Sequence, residues 1–106
     1  MNMTYNNKNN EEDFLNILIR LKKNPNLPQR FLAKDLGFSL GKLNYCLNEL
    51  KTKGLLKINN FKKNKNKLRY IYLLTPAGIK EKTKMTVRFM KIKSKEYDVL
   101  KKEIEK

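Results

Sequence analysis

A chain of 106 residues, 40% hydrophobic and 33% charged, is long enough for one domain around one core and too apolar to stay disordered. Its 25 Lys and Arg against 10 Asp and Glu leave a formal charge of +15, which points to a polyanionic partner, nucleic acid first; A/T-rich codon usage would also raise Lys and Asn without any binding role. With no His and a single Cys46, imidazole acid–base catalysis, Ser-His and Cys-His nucleophiles and an internal disulfide are excluded, and a zinc site is not expected. No enzyme, catalytic residue, metal or cofactor is expected, and the lone thiol fits a reducing cytoplasm.

Residues 1–10, MNMTYNNKNN, read as a disordered polar tail with neither a secretory apolar region nor a myristoylation glycine. No apolar run reaches bilayer-crossing length, so no membrane partner is expected. Glu11, Glu12 and Asp13 then stand as helix-start acids before Phe14, Leu15, Leu18 and Leu21 at helical spacing, and the helix stops at Asn24-Pro25. After PNLP, the stretch QRFLAKDL predicts a short second helix with Leu32, Ala33 and Leu36 inward and Gly37 as its left-handed terminator. Ser39 caps a third helix whose stripe is Leu40, Leu43, Leu47 and Leu50 and whose end is Gly54.

Two helices joined by a glycine-containing turn make a helix-turn-helix. LLKINNF and LRYIYLL, rich in β-branched and aromatic residues around the polar stretch KKNKNK, add a β-hairpin, with Tyr70 and Tyr72 sharing a half-buried face. Thr75 caps and Pro76 opens a last helix running nearly to the C-terminus, strained only by Gly78. The fold class is therefore mainly α with a small β-hairpin: a winged helix-turn-helix over residues 11–75, followed by a long C-terminal dimerisation helix over 76–106.

SLGKLNYCL, KGLLKI, FKKNKNKL and YLLTPAG together resemble the MarR family, and in particular its branch associated with exopolysaccharide gene clusters, over roughly residues 13–106. The resemblance implies a cytoplasmic, homodimeric, DNA-binding transcription factor whose dimer contacts come mainly from terminal helices. The acid and arginine pair common at the wing tip of that family is replaced here by Asn66 and Lys67, so wing chemistry and ligand response do not carry over and no small-molecule effector is named.

With Leu43, Leu47 and Leu50 facing the core, a rotation of about 100° per residue puts Gly41, Tyr45, Asn48 and Thr52 on the opposite side, flanked by Lys42 and Asn44. These residues, with the cap Ser39, are the expected groove-facing set: Asn48 suits a bidentate contact to adenine, and Tyr45 a thymine methyl or a phosphate. Gly41 has two readings, close approach of the helix to DNA or relief of crowding against the second helix. No Asp or Glu occurs between Glu49 and Glu81, whereas Lys51, Lys53, Lys57, Lys62, Lys63, Lys65, Lys67, Arg69 and Lys80 do. Codon usage would not clear acids from one segment, so Lys62, Lys63, Lys65, Lys67 and Arg69 are expected to neutralise phosphates, with the minor groove in reach of Arg69.

Cys46, at the edge of the leucine stripe, is expected to pack in the core. On the last helix Met85, Phe89, Met90, Ile92, Tyr97, Leu100 and Ile104 are the expected dimer surface, with Lys93 interrupting the seam. The expected partners are thus a second copy of the chain and an inverted-repeat operator in double-stranded DNA, with exopolysaccharide genes as targets. The alternative from another class is a winged-helix protein-interaction adaptor that has lost DNA binding.

Overall fold

The computed structural model describes residues 7–64 and 67–105. Its order is α1 (Asn7–Lys23), α2 (Gln29–Leu36), α3 (Leu40–Thr52), β1 (Leu56–Asn64), β2 (Lys67–Leu74) and α4 (Pro76–Glu105). This is a mainly helical winged helix-turn-helix with a two-stranded hairpin and a long C-terminal helix.

The expected caps form. Gly37 closes α2 at φ 72°, a left-handed conformation that costs glycine nothing. Ser39 Oγ accepts the Lys42 backbone N–H at 3.0 Å to open α3. At the joint into α4, Thr75 Oγ1 accepts from the Gly78 N–H at 3.0 Å and donates to the Gly54 carbonyl at 2.6 Å, so one hydroxyl fastens the end of the hairpin to the end of α3.

Three expectations are corrected. First, α1 begins at Asn7, so residues 7–10 are helical, whereas residues 1–6 lie outside the described residues. The acids consequently sit beyond the first turn and pair across the fold: Asp13 with Lys42, Glu11 with Arg88 and Glu12 with Lys93. Secondly, the hairpin extends further along the chain, because Lys62 pairs with Leu68 and Asn64 with Lys67, and Lys63 lies at the irregularity between them. Lys62, Lys63 and Lys67 are therefore strand residues rather than loop residues. Thirdly, Gly78 answers a packing demand: a Cβ there would stand 2.1 Å from the Leu55 carbonyl oxygen. α4 can approach the start of β1 this closely only through a bare backbone.

The core joins all the helices. Ile17, Leu18, Leu32, Leu43, Cys46 and Leu50 are fully buried, with Phe14, Leu47, Leu56, Tyr72, Met85 and Phe89 around them. Ile17, absent from the expected stripe, is as buried as Leu18, whereas Leu40 at the first position of α3 is 52% exposed. Tyr70 and Tyr72 point to one side by strand alternation, but only Tyr72 is buried, and its hydroxyl receives the Gln29 amide at the start of α2.

Candidate nucleic-acid interface

α3 presents two opposed sides. Inward, Leu43, Cys46, Leu47 and Leu50 are buried. Outward, Ser39, Gly41, Asn44, Tyr45, Asn48, Lys51 and Thr52 are exposed. Lys51 completes this stripe one helical turn after Asn48; its spacing of three residues and its place in the acid-free run were the signals for it, although it had not been included in the expected contact set. The outward set contains amide, hydroxyl, cationic and bare-backbone groups and no carboxylate.

Gly41 is not a relief of crowding. A Cβ at this position would meet only Ser39 Oγ, at 4.0 Å, and the backbone has no positive φ. Gly41 is exposed on the outward side of the helix. Lys42, in contrast, is drawn away from the outward set: its ammonium lies 3.0 Å from Asp13 Oδ2 and 4.3 Å from the centre of the Phe38 ring. Its role is to tie the first turn of α3 to α1.

Tyr45 stands at the edge of the outward face. It borders a cleft of about 740 Å³ that is also lined by Phe14, Glu49, Lys53, Glu81 and Met85. Lys53 folds over the Phe14 ring at 4.9 Å, spending its charge on the body of the domain. Behind the helix, burial pushes the Cys46 thiol up to about 11, with the Asp13 charge adding to the shift and Lys42 opposing it. Such a thiol is a packing group and not a nucleophile at neutral pH.

The hairpin carries the remaining expected contacts. Lys62 and Lys63 lie on β1, Lys67 and Arg69 on β2, and Lys65 falls outside the described residues. Acids near the interface are engaged elsewhere: Asp35 with Arg20, Asp13 with Lys42, and Glu81 with Arg88. The folded chain therefore keeps negative charge off the α3 face by engaging these carboxylates, Asp13 and Asp35 between helices and Glu81 within α4, and the Asp13 pair also steadies the angle at which α3 is presented.

On α4 the expected dimer residues divide. Met85 and Phe89 face the chain's own core at 5% and 7% exposure, and Ile92 packs partly against it, so these three are engaged within the chain itself. Met90, Tyr97, Leu100 and Ile104 are exposed, as are Val87 and Val99, which lie outside the expected set. Among the described residues no helix is long and apolar enough to cross a membrane.

Residues 15–57, which hold the second half of α1, all of α2 and α3 and the entry to the hairpin, match the family model described as winged helix-turn-helix DNA-binding. Solved structures of the same fold include a transcriptional regulator homologue from Pyrococcus horikoshii OT3, with a TM-score of 0.64 and 20% identity over 78% of this chain and 81% of that one. The PcaV transcriptional regulator from Streptomyces coelicolor aligns with a TM-score of 0.67 and 20% identity, over 86% of this chain and 71% of that one. The MepR–DNA complex of S. aureus aligns with a TM-score of 0.64 and 22% identity, over 86% of this chain and 61% of that one. At 20–22% identity these likenesses show a shared fold. A search of curated proteins gives no match.

Proposed function

We propose that this chain is a dimeric, sequence-specific DNA-binding transcriptional regulator of the MarR type, acting in the cytoplasm on an inverted-repeat operator. The observation that carries the reading is the outward face of α3, where Gly41, Asn44, Asn48, Lys51 and Thr52 lie exposed with no carboxylate among them. A helix so furnished enters a major groove with Asn48 set for a base edge, while the lysines of the hairpin meet phosphates. Exopolysaccharide genes, suggested by the resemblance of the third-helix and wing segments, are the first targets to test. The MepR complex supports the reading as a protein of this fold bound to DNA.

Reading and holding fail differently, which gives the test. Asn48→Ala is expected to cost about 1–3 kcal/mol on the selected operator, with little change on scrambled duplex and an unchanged salt slope. Lys62→Ala with Lys63→Ala is expected to weaken both duplexes alike and to lower the log–log salt slope by about 1 per lost phosphate contact. An operator-to-scrambled ratio that survives Asn48→Ala and collapses with the lysine pair would move specificity from α3 to the wing. A chain that binds no duplex at low salt would overturn the reading altogether.

A further inference from the structure

α4 carries an arrangement of charge that neither the outward face of α3 nor the hairpin uses. Its lysines occur in pairs four residues apart, Lys80 with Lys84, Lys91 with Lys95 and Lys102 with Lys106, and the pairs repeat every 11 residues. Eleven residues are close to three helical turns, so at about 100° per residue these positions fall on one nearly straight stripe. Lys80, Lys84, Lys91, Lys95 and Lys102 are exposed on α4, and Lys106 lies outside the described residues. From Lys80 to Lys102 the stripe runs about 33 Å at about 1.5 Å per residue, close to one turn of a duplex at about 34 Å.

The stripe lies about a third of a turn around the helix from Met85, Phe89 and Ile92, the row that packs on the core. Cations flanking that inward row are engaged: Arg88 with Glu11 and Glu81, and Lys93 with Glu12 and Glu96. Among the described residues no carboxylate pairs with a lysine of the stripe. Glu81, Glu96 and Glu103 follow the inward row, and acids approach the stripe only at Asp98 and Glu105, in its last third. Codon usage that raises Lys would set no such period and would not sort acids to the other side. α4 packs on α1, and α1 in turn packs on α2 and α3, so a side of α4 turned away from α1 is also turned away from the outward face of α3.

The chemistry of the stripe selects its partner. Met90, Tyr97 and Ile104 are exposed across the helix from these lysines. A bilayer takes up an apolar face bordered by its lysines, and here it could engage one set only by leaving the other in water. A protein partner needs an aromatic or aliphatic anchor at the centre of the contact, and the stripe is bordered only by Ala77 and Val87. A duplex asks for neither, because its phosphates are met by spaced ammonium groups alone. Going beyond the reading of α3, on which the first duplex rests, we infer that the lysine stripe of α4 is a second, sequence-independent surface for double-stranded DNA. A molecule seated on its operator through α3 thereby holds another duplex segment along α4.

The full chain loaded with fluorescent operator duplex and captured on immobilised scrambled duplex tests this. Capture is expected to fall about 40-fold as salt rises from about 50 to about 200 mM, from three phosphate contacts at a slope of about 0.9 each. Lys84→Gln with Lys91→Gln and Lys95→Gln is expected to lower capture about tenfold or more while operator titration moves by less than about threefold, and Arg at the same three positions is expected to retain capture. All three side chains are exposed in a helix, so the melt is expected to stay unchanged. Lys22→Gln with Lys23→Gln and Lys101→Gln removes the same charge away from the stripe and is expected to leave capture intact. Equal capture by the two Gln triples would overturn the inference, since net charge or two α3 faces of a dimer would then suffice. Operator affinity falling in step with capture in the stripe variant would put these lysines on the operator itself and equally refute a second surface. A chain that binds operator and captures no scrambled duplex would refute the stripe and leave the α3 reading standing, whereas a chain that binds no duplex at low salt would refute both.

Discussion

Gly78→Ala isolates the contact that holds α4 to the hairpin. The added Cβ would lie 2.1 Å from the Leu55 carbonyl oxygen, where separations below 3.0 Å are essentially never sustained, so backbone has to move by about 1 Å. That carbonyl also accepts the Thr75 N–H at 3.1 Å, and the Thr75 hydroxyl links the Gly78 N–H to the Gly54 carbonyl. Displacement weakens at least two of these bonds, at about 1 kcal/mol each, and adds overpacking strain of about 1–3 kcal/mol. Against this, alanine in a helix gains about 1 kcal/mol over glycine. The expected net loss is about 2–4 kcal/mol in urea unfolding at equal protein concentration, with a fall in Tm of about 8 °C or more for a domain of this size. Gly41→Ala is the control, because its Cβ meets nothing nearer than 4.0 Å, and it is expected to stabilise by about 0.5–1 kcal/mol. If both substitutions stabilise alike, the close approach at Leu55 is not a constraint and the account of the α4 joint is wrong.

Gly41→Ala is expected to lower operator affinity while raising stability, as read by duplex titration alongside the melt; unchanged affinity would remove Gly41 from the contact face. Cys46 in the folded chain is expected to resist an aromatic disulfide reagent at pH 8 and to react at the rate of unfolding, and immediate stoichiometric labelling would contradict its burial. Its linkage has a definite sign: the thiol is raised from 9.0 to about 11 in the fold, so its contribution to stability is complete below about pH 9 and is lost as pH climbs through about 11. Truncation after Ser94 removes Tyr97, Leu100 and Ile104 and spares Met85 and Phe89, so it is expected to weaken dimer and operator affinity while the far-UV helical signal falls only in proportion to the helical residues removed. A truncated chain that sediments as an unchanged dimer would place the interface elsewhere.

What the sequence disclosed follows from the range of the interactions involved. Caps and breakers act over a few residues, so Ser39, Gly37 and the Thr75-Pro76 joint could be read locally and appear in the structure where expected. The α3 wheel was legible for the same reason, since a helix carries its own geometry and one buried stripe fixes the other face. Long-range pairing was not legible. The acids of α1 looked like helix-start charges because their partners, Lys42, Arg88 and Lys93, are 29 to 81 residues away in the chain. Apolar spacing alone likewise gave no means of dividing α4 between its own core and a partner. Met85 and Phe89 share a helix with Met90 and Tyr97, and only the position of the body decides which row is already covered.

Gly78 and Lys42 show why these two kinds of information must be combined. Each has a plausible local meaning, a flaw in a helix and a cation on a recognition helix, and each is reassigned by an atom from a distant element: the Leu55 carbonyl in one case and the Asp13 carboxylate in the other. Both reassignments act on how α3 is held, because Leu55 follows directly from the end of α3 and Lys42 lies in its first turn. The ends of α3 are thus fixed by contacts that take no part in the outward face, and Asn44 and Asn48 between them lie exposed on that side. A helix anchored in this way can change its exposed side chains without altering its pose. Asn44→Asp is therefore expected to leave the melting temperature within about 2 °C, as for surface substitutions that cost no more than about 0.5 kcal/mol, while depressing binding to every duplex through the added negative charge. If the substitution instead unfolds the chain, the outward face is part of the structural framework and the division of labour argued for α3 does not hold.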